Sequence, residues 1–396
     1  MTSQREGWSE AAELMEAFAQ RTGLDSDRPQ VRYLWTDAFA VCNLLALGRV
    51  SGDESYLELA LRLVDRVHQT LAKHRGDDGR IGWLSGLRDS ESALHPTRAG
   101  LRIGKPLPER GPSEPFDEDL EWERDGQYFH YLTKWMHALD QVSRFTLEPQ
   151  FNLWARELAA TAFAAFARRA TPRHRPQLAW KMSIDLSRPL VARMGQHDPL
   201  DGYVTCAQLR STSEELHSSS SGPDLEEELA GFHAMLDFET WGTTDPLGLG
   251  GLLADAGRVS QLLRRGFPDP QLLLSLLLSA WTGLRRYLAR GGPDGPADTR
   301  LAFRELGLAI GLKAVRTIRA NARWVPGEPA RLHAVLDELD GREALANTFR
   351  SFWLMPAHRE TRTWTVHRDI NDVMLATSLL PDGFLLLPSL GAASPV

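Results

Sequence analysis

The stretch Glu121-Trp122-Glu123-Arg124-Asp125-Gly126-Gln127-Tyr128-Phe129-His130, continuing through Tyr131-Leu132-Thr133-Lys134-Trp135-Met136-His137, decides how this 396-residue chain is read. It passes from a charged turn into helical spacing, with Phe129, Leu132, Met136 and Leu139 apolar. On the same helix His130, Lys134, His137 and Gln141 fall at i, i+4, i+7 and i+11, forming one polar stripe. Such a stripe faces a wet cavity or open solvent, because burying it without partners is costly.

The same arrangement, a Trp and an Asp opening a helix, recurs along the chain. The openings are Trp35-Thr36-Asp37, Trp122 to Asp125, His197-Asp198-Pro199-Leu200-Asp201-Gly202, Trp241 to Asp245, Asp298-Thr299-Arg300 and Trp364 to Asp369. Between Asp37 and Asp369 they return about every 66 residues, enough for two helices and their loops. Amphipathic segments at 55–73, 149–169, 224–237, 270–290 and 328–353 supply the return helices, and Glu10 to Arg21 supplies a sixth. The expected fold is therefore all-α, an (α/α)6 toroid of six inner and six outer helices. One hairpin alone leaves an apolar face bare, so a single domain spanning 1–396 is expected, with the N-terminal helix closing the ring. Two tracts without apolar periodicity, 79–119 and 211–222, read as loop insertions, and the first is placed to fold over the mouth as a lid.

Hydrophobic residues make up 42% and charged residues 24%, the balance of a chain with a sizeable core. The net charge of −7, with basic residues scattered, argues against nucleic acid as a partner. Cys42 and Cys206 stand far apart, which suggests neither a disulfide framework nor a zinc module and fits a cytoplasmic protein. The N-terminus carries no basic region leading into an apolar core, and the most apolar run, Leu272 to Leu284, is too short to span a bilayer. No membrane association is expected. No P-loop, GxGxxG, GxSxG or HExxH pattern is present, so neither a nucleotide cofactor nor a metal is expected, although His197, Asp198 and His367 are ligand types.

Helix openings gathered at one end of a ring present free N–H groups and flat aromatic faces, a surface suited to a sugar. Trp35, Trp122, Tyr128, Trp241 and Trp364 are the candidate platforms, with Asp37, His130, Asp198 and Asp369 as polar contacts. The plainer reading is that Asp before a helix caps it and Trp near a helix start is core. Two segments, Met194 to Tyr203 and His367 to Asp372, also place His beside carboxylates, a combination able to move protons.

Together the six openings, the Trp122 to Tyr128 motif and the Gly195 to Gly202 motif resemble the (α/α)6 toroids of the six-hairpin glycosidase superfamily, over nearly the whole chain. That group includes glycoside hydrolases, unsaturated glucuronyl hydrolases and, in a related toroid, N-acylglucosamine 2-epimerases. The resemblance implies a small-molecule saccharide substrate and, first, hydrolysis by two opposed carboxylates, for which Asp125 and Asp245 are the candidates. It implies as an alternative a sugar epimerase that moves a proton with His197 and His367. A non-catalytic sugar-binding or scaffold toroid is the third reading.

Overall fold

The structure, a computed structural model, describes residues 2–26, 31–168, 176–238, 240–325 and 327–390, and of residues 2–6 the backbone only. In chain order the elements begin with α1 (Thr2–Arg21), α2 (Leu34–Ser51), α3 (Ser55–Leu71), α4 (Asp89–Leu94), α5 (Glu118–Glu123), β1 (Gln127–Tyr128), α6 (Phe129–Thr146) and α7 (Pro149–Phe166). Four short strands follow, β2 (Ala167–Arg168), β3 (Gln177–Leu178), β4 (Lys181–Met182) and β5 (Pro189–Val191). Next come α8 (Asp198–Glu215), α9 (Glu226–Met235), α10 (Pro246–Leu263), α11 (Pro270–Ala289), α12 (Ala302–Asn321), α13 (Pro329–Asp340) and α14 (Glu343–Leu354). Last are α15 (Pro356–Arg359), α16 (Arg362–Thr365), α17 (Arg368–Leu379) and α18 (Asp382–Leu385).

The chain is all-α. Each predicted opening immediately precedes or begins a long helix: α2, α6, α8, α10, α12 and α17. The return segments are helical too, except that 328–353 is broken into α13 and α14 at Gly341 and that Arg169 lies outside the described residues. Tract 211–222 differs from expectation in that α8 runs on to Glu215, and tract 79–119 contains α4 and the start of α5.

The backbone packs as two compact units. Among the described residues, one comprises 2–18, 42–54 and 237–388, and the other 19–41, 55–236 and 389–390.

In the first unit α10 and α12 meet backbone to backbone. A Cβ on Gly250 would be driven into the carbonyl of Gly307, and one on Gly311 into the carbonyl of Gly250. Glycine is needed here for close approach, and larger residues would push the helices apart. The Asn43 amide of α2 donates to the carbonyl of Val373 in α17 at 3.0 Å and touches Met15 Sδ of α1 at 3.5 Å. Asn43 thereby ties α2 to both α1 and α17 within this unit. A buried ionic cluster braces the start of α12: Arg300 forms two bonds to Glu305 at 2.8 and 2.7 Å, and the Trp353 indole donates to Glu305 at 2.7 Å.

In the second unit the polar stripe of α6 divides. His130 and Lys134 remain partly accessible, whereas His137 and Gln141 are buried. His137 meets Gln208 of α8 at 3.1 Å, Gln208 donates to Asp140 at 2.7 Å, and Asn152 of α7 donates to Asp140 at 2.9 Å. Arg156 continues the network by bonding Asn152 and the carbonyls of Pro223, Ser218 and Ser221. A fully satisfied network of this kind fixes helix register, which an apolar contact alone does not. It also ties down the turn that follows α8.

Neighbouring glycines of α10 supply a test. Gly250→Ala should destabilise the protein by roughly 1–3 kcal/mol through overpacking. Gly251→Ala, whose Cβ meets nothing within 4 Å, should be neutral or stabilising by up to about 1 kcal/mol. Denaturant unfolding of both variants measures this, and equal effects would remove the close-approach argument.

Candidate functional site

The site lies in the second unit and begins with one carboxylate. Asp125 is completely buried and accepts from Arg102 at 2.5 Å, from Arg75 at 3.2 Å, and from the amides of Gly104 and Gly126 at 3.0 Å each. Both carboxylate oxygens are thus met by charged or backbone donors, as a buried carboxylate requires. Gly104 is glycine because its φ of +90° and the adjacent carbonyl of Arg32 leave no room for a Cβ.

From this anchor the chain enters β1, which pairs with β4, and β4 with β5, both antiparallel. Lys181 on β4 is fully buried and donates to Glu121 Oε1 at 2.8 Å and to the carbonyls of Glu121 and Arg124 at 2.7 and 2.8 Å. Arg110 bonds the other Glu121 oxygen at 2.9 Å and the carbonyl of Leu190 at 2.8 Å. The small sheet is therefore nailed to α5.

On this frame sits an arc of rings. Trp122 meets Trp180 edge to face at 5.0 Å, and Trp180 lies 5.8 Å from Tyr128. Tyr128 stacks on His130 at 5.5 Å, and His130 meets Tyr131 edge-on at 4.6 Å. Tyr131 then meets Tyr33 at 5.5 Å, and their hydroxyls are 2.6 Å apart. One end opens into a cavity of about 430 Å³ lined by Trp122, Tyr128, Trp180, Phe116, Arg110 and Arg193 among others, within the ~300–1,000 Å³ typical of small-molecule sites. Trp122 is 42% exposed and Phe116 56%, so two ring faces are open to a ligand.

The electrostatics are uneven along the arc. The Trp180 indole N–H donates to His130 Nδ1 at 3.3 Å, which leaves the imidazole hydrogen on Nε2. Burial, helped by the nearby Lys134 charge, holds the His130 pKa down to about 4, so the ring is neutral at neutral pH. Lys134 and Thr133 both bond Asp201 Oδ2, at 2.7 and 2.5 Å. Beside them Asp198 is buried, and among the described residues the Gly195 amide alone donates to its carboxylate, at 3.1 Å. Burial, and then the Asp201 charge, push its pKa up to about 7. A carboxyl that titrates near neutrality can both give and take a proton.

The other predicted residues divide clearly. Trp35 is buried against Phe39 at 4.6 Å, and Asp37 accepts from the Tyr33 amide at 3.1 Å with Arg32 at 3.5 Å. Trp241 and Trp364, expected as platforms, are 2% and 1% exposed, the first against Phe238 and the second against Trp353, so neither has a face for a ligand. Asp245 is the N-cap of α10, accepting from Gly248 at 2.9 Å and pairing with Arg304 at 2.5 Å. Of the expected carboxylate couple, Asp125 lies in an ionic lattice of the second unit and Asp245 caps a helix of the first. His197 and His367 each occupy an N-cap position, of α8 and α17, again in separate units. Asp369 lies half-buried in the first turn of α17. Segment 79–119 contributes Arg110, Phe116 and Glu118 as cavity wall. The sequence reading did not single out Tyr33, Lys105, Tyr131, Trp180 or Arg110 for the site. Among the described residues no cluster of three or more His, Cys, Asp or Glu is arranged to hold a metal, and no helix is long and apolar enough to cross a membrane.

No protein-family model matches the chain, and no curated protein matches its sequence. Among solved structures it is similar to the cellobiose 2-epimerase of Spirochaeta thermophila DSM 6192, with a TM-score of 0.48 and 12% identity over 95% of this chain and 98% of that one. It is also similar to the cellobiose 2-epimerase of Bacillus thermoamylovorans B4167, with a TM-score of 0.45 and 11% identity over 82% and 86% of the two chains.

Two outcomes follow from the geometry. Asp125→Asn should cost about 3–5 kcal/mol of stability, because Arg75 and Arg102 lose their buried counter-charge. Asp245→Asn should cost well under about 1 kcal/mol, since Asn is an equally good cap. Thermal unfolding of the two variants measures the contrast. For Asp198 the folded pKa of about 7 lies well above the ordinary aspartate value of about 3.9. Its stabilising contribution is therefore fully present below the unfolded pKa and is lost as pH rises through the folded one. Between pH 4 and 8, Asp198→Asn should gain stability relative to the parent as pH rises; a pH-independent difference would refute the raised pKa.

Proposed function

We propose that this chain is a carbohydrate-active enzyme that binds a saccharide on the Trp122 to Tyr131 arc and moves a proton at a sugar carbon, in the manner of an epimerase. The observation that carries the reading is the arc itself, open ring faces bordered by fixed polar groups. Ring C–H faces of a sugar pack on indole and phenol, while hydroxyls meet Arg193 and Glu118 on the cavity wall, and the His130 ring stacked on Tyr128 offers its Nε2 hydrogen.

Proton transfer is favoured over glycosidic hydrolysis by the state of the carboxylates. Hydrolysis asks for two free carboxyl groups flanking one bond. In this unit Asp125 is engaged by two guanidinium groups and Glu121 by Lys181 and Arg110. Asp198 differs from both, being buried without an ion pair among the described residues and titrating near neutrality. It is the group we assign to proton exchange, with Lys134 and Asp201 setting the local field and His130 as a neutral hydrogen-bond donor. His197, one residue before Asp198, belongs to the same proposal; the hydrolytic pairing of Asp125 with Asp245 does not.

Tryptophan fluorescence titration with a panel of mono- and disaccharides, followed by proton NMR of the bound sugars in D2O, tests the reading. Saccharide binding should weaken by about 0.5–1.5 kcal/mol in Trp122→Ala. Exchange of a sugar C–H for deuterium should occur in the parent and vanish in Asp198→Asn. Release of a new reducing end without exchange would replace the epimerase reading with hydrolysis, and absence of any saccharide binding would end both.

A further inference from the structure

We propose that Lys105, together with the Tyr33–Tyr131 hydroxyl pair, forms an oxyanion-binding corner that receives the negative charge developing on a sugar carbonyl oxygen as a proton leaves the neighbouring carbon. The proposal rests on the proton-transfer reading above and deepens it by assigning the charge its place.

Cations are plentiful around the arc, and nearly all are already committed. Arg75 and Arg102 sit on Asp125, while Lys181 and Arg110 share Glu121. Lys105 has no such partner. Its ammonium lies over the Tyr33 ring, 5.5 Å from the centroid, and among the described residues no carboxylate is within ion-pair distance of it. Glu123 and Asp125 act on it only at longer range, and burial lowers its pKa, the response of a charge short of solvation. A half-buried ammonium with an aromatic face on one side has its remaining hydrogens available to an anionic oxygen.

Tyr33 and Tyr131 supply the second donor. Two phenols contain two O–H hydrogens, and their mutual bond of 2.6 Å uses one of them, leaving the other to donate outward. Burial raises both pKa values, Tyr33 to about 12, so both remain protonated donors across the working range. Their positions are fixed: the Tyr33 amide is held by Asp37 at 3.1 Å, and Tyr131 is wedged against His130 at 4.6 Å. The backbone of Lys105 is fixed as well, because its carbonyl accepts from Arg75 at 2.7 Å and the preceding Gly104 amide is bound to Asp125.

The chemistry balances without a further reactant. The C–H proton passes to the base, its bonding pair becomes the carbon–carbon π bond, and the carbonyl π pair moves onto oxygen as an enolate. Lys105 and the phenol hydrogen bind that oxygen; return of the proton from the base to the carbon reverses the flow. Preorganised donors of this kind act where charge develops.

The test uses the full chain and two probes, gluconate as a fixed oxyanion and glucitol as its neutral counterpart, measured by calorimetry. The parent should bind gluconate about tenfold more tightly than glucitol, as charge-assisted hydrogen bonds predict. Lys105→Met should abolish that preference while leaving glucitol affinity unchanged, Lys105→Arg should restore part of it, and Tyr131→Phe, which keeps the ring, should reduce it. Deuterium exchange on an aldose in the same samples should fall roughly 10²-fold in kcat with KM nearly unchanged. A gluconate preference that survives Lys105→Met, or is absent from the parent, overturns the corner. A Lys105-dependent preference in a parent that shows no exchange upholds the corner and overturns the proton-transfer reading alone.

Discussion

The bond set around the Asp125 carboxylate is the constraint on which the site depends. Four donors converge on it from three stretches of chain: Arg75 after α3, Arg102 and Gly104 in the long connection, and Gly126 at the entry to β1. Gln127 repeats the pattern two residues later, accepting from the Leu101 amide at 2.8 Å and donating to the carbonyls of Ala99 and Ile184 at 3.1 and 2.7 Å. Lys105 follows Gly104 directly, and Tyr128 follows Gln127. Fixing the two backbones therefore fixes both side chains, and an irregular loop acquires the rigidity that a functional surface requires.

The second feature is the way charge is spent. Buried carboxylates cost several kcal/mol each unless paired and hydrogen-bonded. Asp125, Glu121 and Asp140 meet that cost with guanidinium, ammonium and amide donors. Beside these closed pairs, Lys105 and Asp198 have no ion-pair partner among the described residues. Both lie close to the aromatic arc, Lys105 through Tyr33 and Asp198 through the Asp201–Lys134 pair that acts on His130.

Much of the helical framework was legible because it is written locally. Proline at the first turn of α7, α8, α10 and α11, caps at Asp245 and Asp269, and apolar spacing in α3 mark element bounds within a few residues. The site was less legible, for two physical reasons. Trp241 and Trp122 read alike in sequence, but which face of a ring is covered is settled by distant packing, leaving one 2% and the other 42% exposed. Strands β3 to β5 are two or three residues long, too short for alternation to show, so Trp180 and Lys181 carried no visible period. The stripe on α6 was visible as a stripe, yet its division into an accessible half at His130 and Lys134 and a buried half at His137 and Gln141 depends on Gln208 and Asp140.

Aspartates at helix openings show how one residue type yields different chemistry from differing desolvation. Asp245 is a third exposed and caps α10, so its carboxylate remains close to water. Asp37 and Asp125 are buried but paired with Arg32 and with Arg75 and Arg102, so burial and counter-charge offset each other. Asp198 is buried to 5% with one amide donor and a like charge nearby. For capping alone, Asn at that position would accept the Gly195 amide equally well and without the cost of a desolvated charge. A carboxyl kept where a neutral amide would be the more stable choice is the usual mark of a group whose protonation matters to function. That argument singles out Asp198 from the other carboxylates of the same openings, and it does so on burial and pairing alone.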